Sequence, residues 1–275
     1  MSVIAPGFPL FRNTSFFIEG MVLSWLSGTE LGITPGNAKD DTDSNTIVMS
    51  SSINIDTDIV GANGLDNGVM EIDTYYAVYV IGSSNSNNPN VLFANGASGN
   101  QFSGGGTGRF VNGAGLLSKS FVRPVLPVGY DMFRRIGFVR TEVLGTDILS
   151  FVQEGRSTLR KMWYAEPIPV LVAGVQAAFS TVDLSAALPF SGNASSVIMT
   201  ALITPTAAAN SAQLKPGDLV SAAGLVSING VVAGVQQQLQ VVCPCTFTPN
   251  PAAIEIEYQV TGILSLNVNG YQDNL

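Results

Sequence analysis

Alternation between apolar and polar positions is clearest in the last part of the chain. In residues 254–261 every even position is apolar and every odd position is polar, and the same parity continues through residues 264–268. A period of two predicts a strand with one buried face and one wet face. Only Ile263 interrupts the pattern, so we predict one long strand that is kinked or bulged at Gly262.

A different pattern marks residues 75–81, which are apolar at nearly every position. Such a run predicts a strand that is buried on both faces in the middle of a layer. Further along the chain, residues 136–143 and 148–152 flank a turn-forming break at residues 144–147, which predicts a hairpin. Residues 75–155 as a whole are therefore the predicted scaffold of a first β module.

Several other segments have the composition of strands and are separated by proline and glycine. Asn229 and Gly230 stand between two of them, and this dipeptide predicts a hairpin turn. Residues 236–240 carry four glutamines and form a short helix in an alternative interpretation. The further predicted strands are residues 21–31, 46–58, 175–184, 195–203, 219–228 and 231–242.

These patterns together predict an all-β fold of the β-sandwich or jelly-roll kind, with few helices and two successive modules. We predict an N-terminal docking segment over residues 1–20, a first β module over residues 21–164 and a second β-sandwich module over residues 165–275. The boundary is set at residues 165–169, which contain two prolines. The sequence contains no long internal repeat, so we expect no fibrous shaft.

Composition adds an expectation about the surface. Hydrophobic residues make up 46% of the 275 residues and charged residues 12%, roughly half the usual charged fraction of about 25%. A chain with so few charges predicts a subunit whose exterior is partly covered by partners. The alternative is a compact protein whose surface consists of serine, threonine, asparagine, glutamine and glycine.

The charges are unevenly placed along the chain. Residues 1–108 carry 2 basic and 10 acidic side chains, residues 109–161 carry 9 and 4, and residues 162–275 carry 1 and 6. This basic centre can pair with acidic regions of a neighbouring subunit or with the acidic flanks of its own subunit. The net charge of −8 argues against a nucleic-acid partner, which requires a basic surface.

Candidate chemistry is sparse. Histidine is absent, which excludes histidine-dependent triads and histidine-ligated zinc. Cys243 and Cys245 are separated by one residue, a poor spacing for a disulfide, and are expected to be buried or strand-end apolar side chains. Residues 82–108 are rich in glycine but lack a phosphate-binding pattern. We therefore expect no cofactor and no catalytic residues, although a polysaccharide hydrolase using acidic side chains near residue 41 is a weaker alternative.

One acidic loop partly matches a calcium-binding motif. Asp41, Asp43 and Asn45 have the one-three-five spacing that begins an EF-hand loop, but Thr46 stands where glycine is needed and Ser52 where glutamate is needed. These three residues are weak metal candidates, and we assign no metal site. The preferred interpretation is an acidic turn whose side chains bond to the local backbone.

Two groups of residues are candidates for an assembly interface. Phenylalanines crowd the proline-containing N-terminal segment, where they need a covering surface and predict an arm that docks onto a partner. Arg134 and Arg135 precede an apolar strand, so one arginine is expected on each face, one exposed and one paired. The candidate interface residues are Phe8, Phe11, Phe16, Phe17, Arg134 and Arg135.

The N-terminal residues lack the basic and continuous apolar parts of a signal peptide, because prolines and a glycine interrupt them. No run of apolar residues approaches the length of a membrane-spanning helix, so we expect no membrane insertion.

Four motifs in order resemble a family of tailed-bacteriophage virion proteins: GNAKDDTD at residues 36–43, ANGLDNG at 62–68, TYYAVYVIG at 74–82 and LPVGYDMFRRIG at 126–137. The resemblance extends over roughly residues 21–275. Members of the family are described as virion structural or tail-fibre-like proteins without catalytic residues. The tip at residues 142–147 departs from the glycine-rich turn that many members have there.

The resemblance implies a virion protein made in the host bacterial cytoplasm. A head decoration or cement protein bound to the assembled capsid is the favoured interpretation, because the chain has no shaft and few charges. A tail component such as a short fibre, spike or adaptor is the alternative, in which loops rich in tyrosine and asparagine bind host-surface glycans. The expected partners are further copies of the chain, with a trimer as the expectation, and other virion proteins such as the major capsid protein or tail proteins.

Overall fold

The computed structural model describes residues 17–83, 110–155, 157–189, 194–207, 211–217, 226–229, 233–249 and 252–275. These residues form strands and turns only, as the all-β prediction requires. The strands of the first half are β1 (Ile18–Gly20), β2 (Leu23–Trp25), β3 (Glu30–Ile33), β4 (Gly36–Lys39), β5 (Thr46–Met49), β6 (Ile53–Asp56), β7 (Gly64–Leu65), β8 (Tyr75–Gly82), β9 (Phe110–Asn112), β10 (Ala114–Ser118), β11 (Met132–Arg140) and β12 (Phe151–Glu154). Those of the second half are β13 (Leu159–Gly174), β14 (Ser180–Asp183), β15 (Ala194–Thr204), β16 (Ser211–Pro216), β17 (Val226–Asn229), β18 (Gln237–Pro244), β19 (Thr246–Pro249), β20 (Ala252–Val260) and β21 (Ile263–Asn274).

The strands form four sheets. The N-terminal sheet has the order β1-β4-β5-β9, and the central sheet has the order β11-β8-β10-β7. The long sheet has eight strands in the order β18-β15-β21-β13-β12-β2-β3-β6. The C-terminal sheet has the order β14-β20-β16-β17, with β19 paired to β20. Pairing is antiparallel except for β10 with β7 and β5 with β9.

Strand β8 confirms the prediction of a strand buried on both faces. Its odd and even side chains lie in two different apolar clusters. Val78 and Val80 belong to the main core, which also contains Leu31 of the long sheet and Leu214 of the C-terminal sheet. Tyr79 and Ile81 belong to a second cluster on the opposite face of the central sheet. A run of apolar residues without polar alternation is required at such a position.

Alternation in residues 254–268 is also present, but the prediction of one continuous strand is wrong. Strand β20 lies in the C-terminal sheet and β21 lies in the long sheet. The chain changes sheets at Gly262, whose φ is 147°. Because parity is preserved across this break, both strands direct their apolar side chains into the main core, including Ile256 and Leu266.

Predicted pairings between neighbouring strands fail in two places. Residues 141 and 148 form only an isolated bridge, while β11 pairs with β8 and β12 pairs with β13 and β2. Asn229 ends β17, which pairs with β16, whereas β18 pairs with β15 in another sheet. Turn-forming residues identify a change of direction, but the partner of each strand is decided by which apolar face it buries.

Three further strand predictions need correction. Residues 21–31 contain β2, a turn and the start of β3, and residues 46–58 contain β5 and β6 in different sheets. Residues 175–184 form a strand only at Ser180–Asp183. The alternative of a helix at residues 236–240 is wrong, because residues from Gln237 onward belong to β18. The prediction for residues 195–203 is confirmed by β15, and the glycine-rich segment at residues 84–108 lies outside the described residues.

The predicted domain boundary lies inside a continuous strand. Residues 165–169 belong to β13, which has 16 residues and pairs with both β12 and β21. The register shifts between Trp163 and Ile168 and again between Pro169 and Leu171, so the two prolines coincide with irregular pairing. The long sheet therefore contains strands from both predicted modules, and their independence as folding units stays a prediction.

Candidate functional site

The aromatic residues predicted for an interface lie at the start of the described chain. Phe8, Phe11 and Phe16 are outside the described residues. Phe17 is exposed, and its carbonyl accepts a hydrogen bond of 2.9 Å from the backbone N–H of Lys39. Residues 18–20, which we included in the docking segment, form β1 and pair with β4. The part of the predicted arm that precedes the fold is therefore residues 1–16.

The predicted arrangement of Arg134 and Arg135, one exposed and one paired, is wrong. Arg134 is only 7% exposed, and its guanidinium donates a hydrogen bond of 3.2 Å to the carbonyl of Leu275. Arg135 is half-buried, lies 3.7 Å from a carboxylate oxygen of Asp273 and stacks on Phe138 with 4.5 Å to the ring centroid. The two arginines do lie on opposite faces, since Arg134 pairs with Val80 and Arg135 with Tyr79, but both faces of the central sheet are covered, so neither arginine is exposed.

Both arginines line a small cleft beside the last residues of the chain. The cleft has a volume of about 220 Å³, and Tyr79, Phe133 and Asp41 are among its lining residues. Burial lowers the pKa of Arg134, while burial and the neighbouring Asp40 charge raise the pKa of Asp41. The cleft thus brings together candidates from two separate predictions, but its guanidinium groups are already engaged by residues of the same chain.

The acidic turn has the predicted form, with a different residue at its centre. Asp40 is buried, and its carboxylate accepts hydrogen bonds from the backbone N–H groups of Ser44 (3.0 Å) and Asn45 (3.1 Å). The Asn45 side-chain amide donates a third bond of 2.9 Å. Asp43 adopts a left-handed conformation with φ of 57°, which this residue type tolerates in turns. Within the described ranges no three acidic or cysteine side chains are grouped for metal binding.

Charges of the basic centre meet acidic residues of the same subunit. Lys119 pairs with Glu71, and Arg140 pairs with Asp73 on the N-terminal side. Arg135 pairs with Asp273 on the C-terminal side. Of the two alternatives for the uneven charge, the described residues therefore support pairing inside one subunit.

Arg160 was not singled out from the sequence, although it is the most interconnected cation. It is 1% exposed and donates to the carbonyls of Gly20 (2.7 Å), Met21 (2.6 Å) and Ile136 (3.2 Å). It also donates to the Gln153 side-chain oxygen at 3.0 Å. Burial lowers its pKa to about 10. The sequence did contain a signal: Arg160 lies in β13 at an alternate position whose side chain points toward the core.

The outward face of the long sheet is the surface that sequence patterns did not identify. Directly paired residues on neighbouring strands share one face of a sheet. The registers place eight such residues in one unbroken row across all eight strands: Asn54, Gly32, Ser24, Val152, Trp163, Gly270, Ile198 and Val242. We call this set the outward row.

Exposure shows that the outward row points away from the core. Val152 is 61% exposed and Val242 is 54% exposed, whereas the alternate residues Phe151 and Cys243 are buried. Ile198 is buried yet belongs to neither apolar cluster. The row therefore presents apolar side chains on a sheet face, the feature that typically marks a protein interface.

A mostly polar row lies beside the outward row on the same face. It consists of Pro244, Ser196, Gln272, Lys161 and Glu154.

The backbones approach closely at one position of the outward row. At Gly270, a β-carbon would lie 2.0 Å from the Met162 carbonyl, so only glycine fits. Trp163 lies beside this glycine with a buried indole N–H that has no acceptor among the described residues. The surface combines apolar contact area with few charges.

The two thiols have the expected environment. Cys243 is fully buried, Cys245 is half-buried, and neither thiol forms a disulfide. Burial raises the pKa of Cys243 to about 12 and that of Cys245 to about 11, so both are protonated at neutral pH.

Comparisons with known proteins give little further information. No family model and no curated protein matches the chain. A solved structure described as "Structure of infectious bursal disease virus Gx strain" matches with 12% sequence identity and a TM-score of 0.19, covering 94% of this chain and 67% of that chain. A TM-score this low carries no argument about fold or function. No helix among the described residues has the length and apolar character needed to cross a membrane.

Proposed function

We propose that the chain is a non-enzymatic structural protein of a tailed-bacteriophage virion, and that it decorates or cements the assembled head. The observation that carries the proposal is the outward row, which places the exposed Val152 and Val242 and the half-buried Trp163 on the sheet face that points away from the core. An exposed apolar row with a polar border fits a surface that another protein covers. The phage motifs described above supply the type of assembly.

The distribution of charge supports a binding role over a catalytic one. The arginines of β11 bond to residues of the same chain, and the carboxylate of Asp40 is used by its own turn. A general acid or base needs a titratable group aimed at a substrate cavity. Asp40 and the two arginines thus stabilise the subunit, so we propose that surface contacts constitute its activity.

Localisation on intact particles tests the proposal. We expect a tagged chain to appear by cryo-electron microscopy at many positions over the icosahedral shell, in contact with the major capsid protein. Copies confined to the tail would support the alternative role as a fibre, spike or adaptor, for which binding to host-surface glycans is the next measurement. Absence of the protein from purified particles would refute both virion roles.

A pair of matched variants tests the surface. We expect Val152→Glu to reduce the number of copies per particle, because a carboxylate would be buried in the apolar contact. Val128→Glu is the control, since Val128 is 99% exposed and lies in a loop outside the outward row. Equal incorporation of both variants, with unchanged folding, would argue against the outward row as the contact surface.

The docking arm is tested separately by truncation. Removal of residues 1–16 leaves β1 in place, whereas removal of residues 1–20 also deletes a strand of the N-terminal sheet. If the phenylalanine-containing segment docks onto a neighbour, the shorter truncation lowers incorporation while leaving the unfolding temperature unchanged. Undiminished incorporation would show that the arm is dispensable.

A further inference from the structure

Within the described part of the chain, one edge of the long sheet lacks the charged side chains that usually protect edge strands. Strand β18 ends this sheet and pairs with β15 alone among the described strands. It has 8 residues with the sequence QQLQVVCP, which includes no charged side chain. Long edges are normally guarded by charge, by internal proline or by covering elements, because their free backbone groups attract another strand. In β18 the single proline is the last residue.

The remaining sheet edges differ from β18 in length or in covering. All other terminal strands except β11 have four residues or fewer. Strand β11 has 9 residues, but its carbonyls are engaged from its own subunit. Asp41 N–H donates to Phe133, Arg160 and Gln153 donate to Ile136, and Leu149 N–H donates to Arg140.

Exposure agrees with an uncovered edge. Gln238, Leu239, Gln240, Val242 and Pro244 are all exposed, so both faces of β18 reach solvent along part of its length. Neutral side chains on both faces are compatible with a second strand of any direction. They also favour pairing with an identical strand, because two copies of β18 bring no like charges together, whereas two copies of β11 would oppose arginines.

We propose that two copies of this chain associate through antiparallel pairing of their β18 strands about a twofold axis that passes near Gln240, close to the middle of the strand. This pairing joins the two long sheets into one sheet of sixteen strands, because each long sheet contributes eight. Twofold pairing is closed and self-complementary, so it ends at a dimer. The inference rests on the edge itself and does not depend on a virion role.

The size of the contact sets its expected strength. A strand of eight residues is about 27 Å long and a sheet is about 10 Å thick, which gives roughly 550 Å² over both partners. Stable complexes bury about 1,200–2,000 Å². The contact is therefore weak between free subunits and is strengthened wherever a larger assembly holds two subunits side by side.

Charge substitution with complementary rescue tests the pairing. The full-length chain is examined by sedimentation velocity up to about 200 μM, with Gln240→Lys and Gln240→Glu as variants and Val128→Lys as the control, because Val128 lies in an exposed loop outside β18 and the outward row. We expect each Gln240 variant to weaken dimerisation by roughly fivefold. An equimolar mixture of the lysine and glutamate variants restores it, and Val128→Lys leaves it unchanged.

Several outcomes would overturn the proposal: a wild-type chain that is monomeric at the highest concentration, a trimer, a Gln240→Lys variant that associates normally, or a mixture that fails to recover. Loss of dimerisation in Val128→Lys alone would place the contact outside the β18 edge. Each result is independent of where the protein lies on a phage particle.

Disulfide capture fixes the register. In antiparallel twofold pairing, only residues near the axis face their own copies. Single cysteines at residues 238, 240 and 242 are therefore expected to give oxidised dimers at one or two adjacent positions, and Lys161→Cys on β13 is expected to give none. Equal yields at all positions would indicate random collision and overturn the paired arrangement.

Discussion

Replacement of Arg160 by methionine tests whether this buried cation holds three parts of the fold together. Its guanidinium donates to the carbonyls of Gly20 and Met21 before β2 and to Ile136 in the β11 bulge. The side chain of Gln153 takes part in the same network: it donates to the Ile136 carbonyl and accepts a hydrogen bond from the Leu23 N–H. Methionine preserves most of the apolar stem and removes every donor.

The expected magnitude follows from the groups that lose their donor. Ile136 retains Gln153, and the Ser157 carbonyl, which accepts from Arg160 at 3.1 Å, is only partly buried, so the main loss falls on the carbonyls of Gly20 and Met21. An unsatisfied buried group costs about 1–3 kcal/mol, which gives about 2–6 kcal/mol for two. Removal of a charge whose pKa burial has lowered to about 10 offsets part of this. We expect a net destabilisation of about 2–4 kcal/mol.

Urea unfolding followed by tryptophan fluorescence measures this change, and thermal unfolding should show a decrease of roughly 5–15 °C. Lys161→Met is the matched control, because Lys161 is the next residue of β13 and is exposed. We expect it to change stability by less than about 0.5 kcal/mol. If the two variants unfold at the same urea concentration, Arg160 does not have the structural role argued for it.

Three further predictions concern single groups. Cys243 and Cys245 should react slowly with a thiol reagent at pH 8 and rapidly in denaturant, because burial raises both pKa values to about 12 and about 11; fast reaction of the folded chain would contradict this. Burial also raises the pKa of Tyr79 to about 12, so the unfolded state loses this proton first and stability should fall as pH rises from about 10 to 12; Tyr79→Phe should reduce that slope in unfolding curves recorded at each pH. Gly270→Ala should lower the free energy of unfolding by at least about 2 kcal/mol, because the added β-carbon forces a backbone shift. Gly68→Ala is the control: the space around Gly68 is open, although its positive φ adds a strain of its own.

Local patterns predicted those strands whose burial follows directly from their own sequence of apolar and polar residues. Strand β8 was identified because an unbroken apolar run is stable only between two apolar layers. Strands β20 and β21 were identified from alternation, but their separation was not, since the same parity on both sides of Gly262 is compatible with one strand or two. The alternation pattern alone predicts which face of a strand is buried, but it does not predict the sheet in which that strand pairs.

Long-range pairing explains what the sequence did not reveal about the candidate site. Arg134 and Arg135 are engaged by residues near position 275, more than a hundred positions away, and their local sequence gives no sign of these partners. The outward row depends on seven strand registers, none of which is local. Arg160 had a readable signal in its inward parity, because a charged residue in that phase must find buried acceptors.

The small number of charged residues in this chain explains two features of the structure. Charges are neutralised inside the subunit, and the exposed sheet surfaces carry few charges. A chain with 12 basic and 20 acidic residues has few cations to distribute, and the four arginines of β11 and β13 are engaged within the subunit. The outward row and the β18 edge consequently offer apolar side chains and backbone groups for recognition. Electrostatic steering contributes little to such contacts, so their specificity has to come from strand register and from the fit of side chains around Gly270.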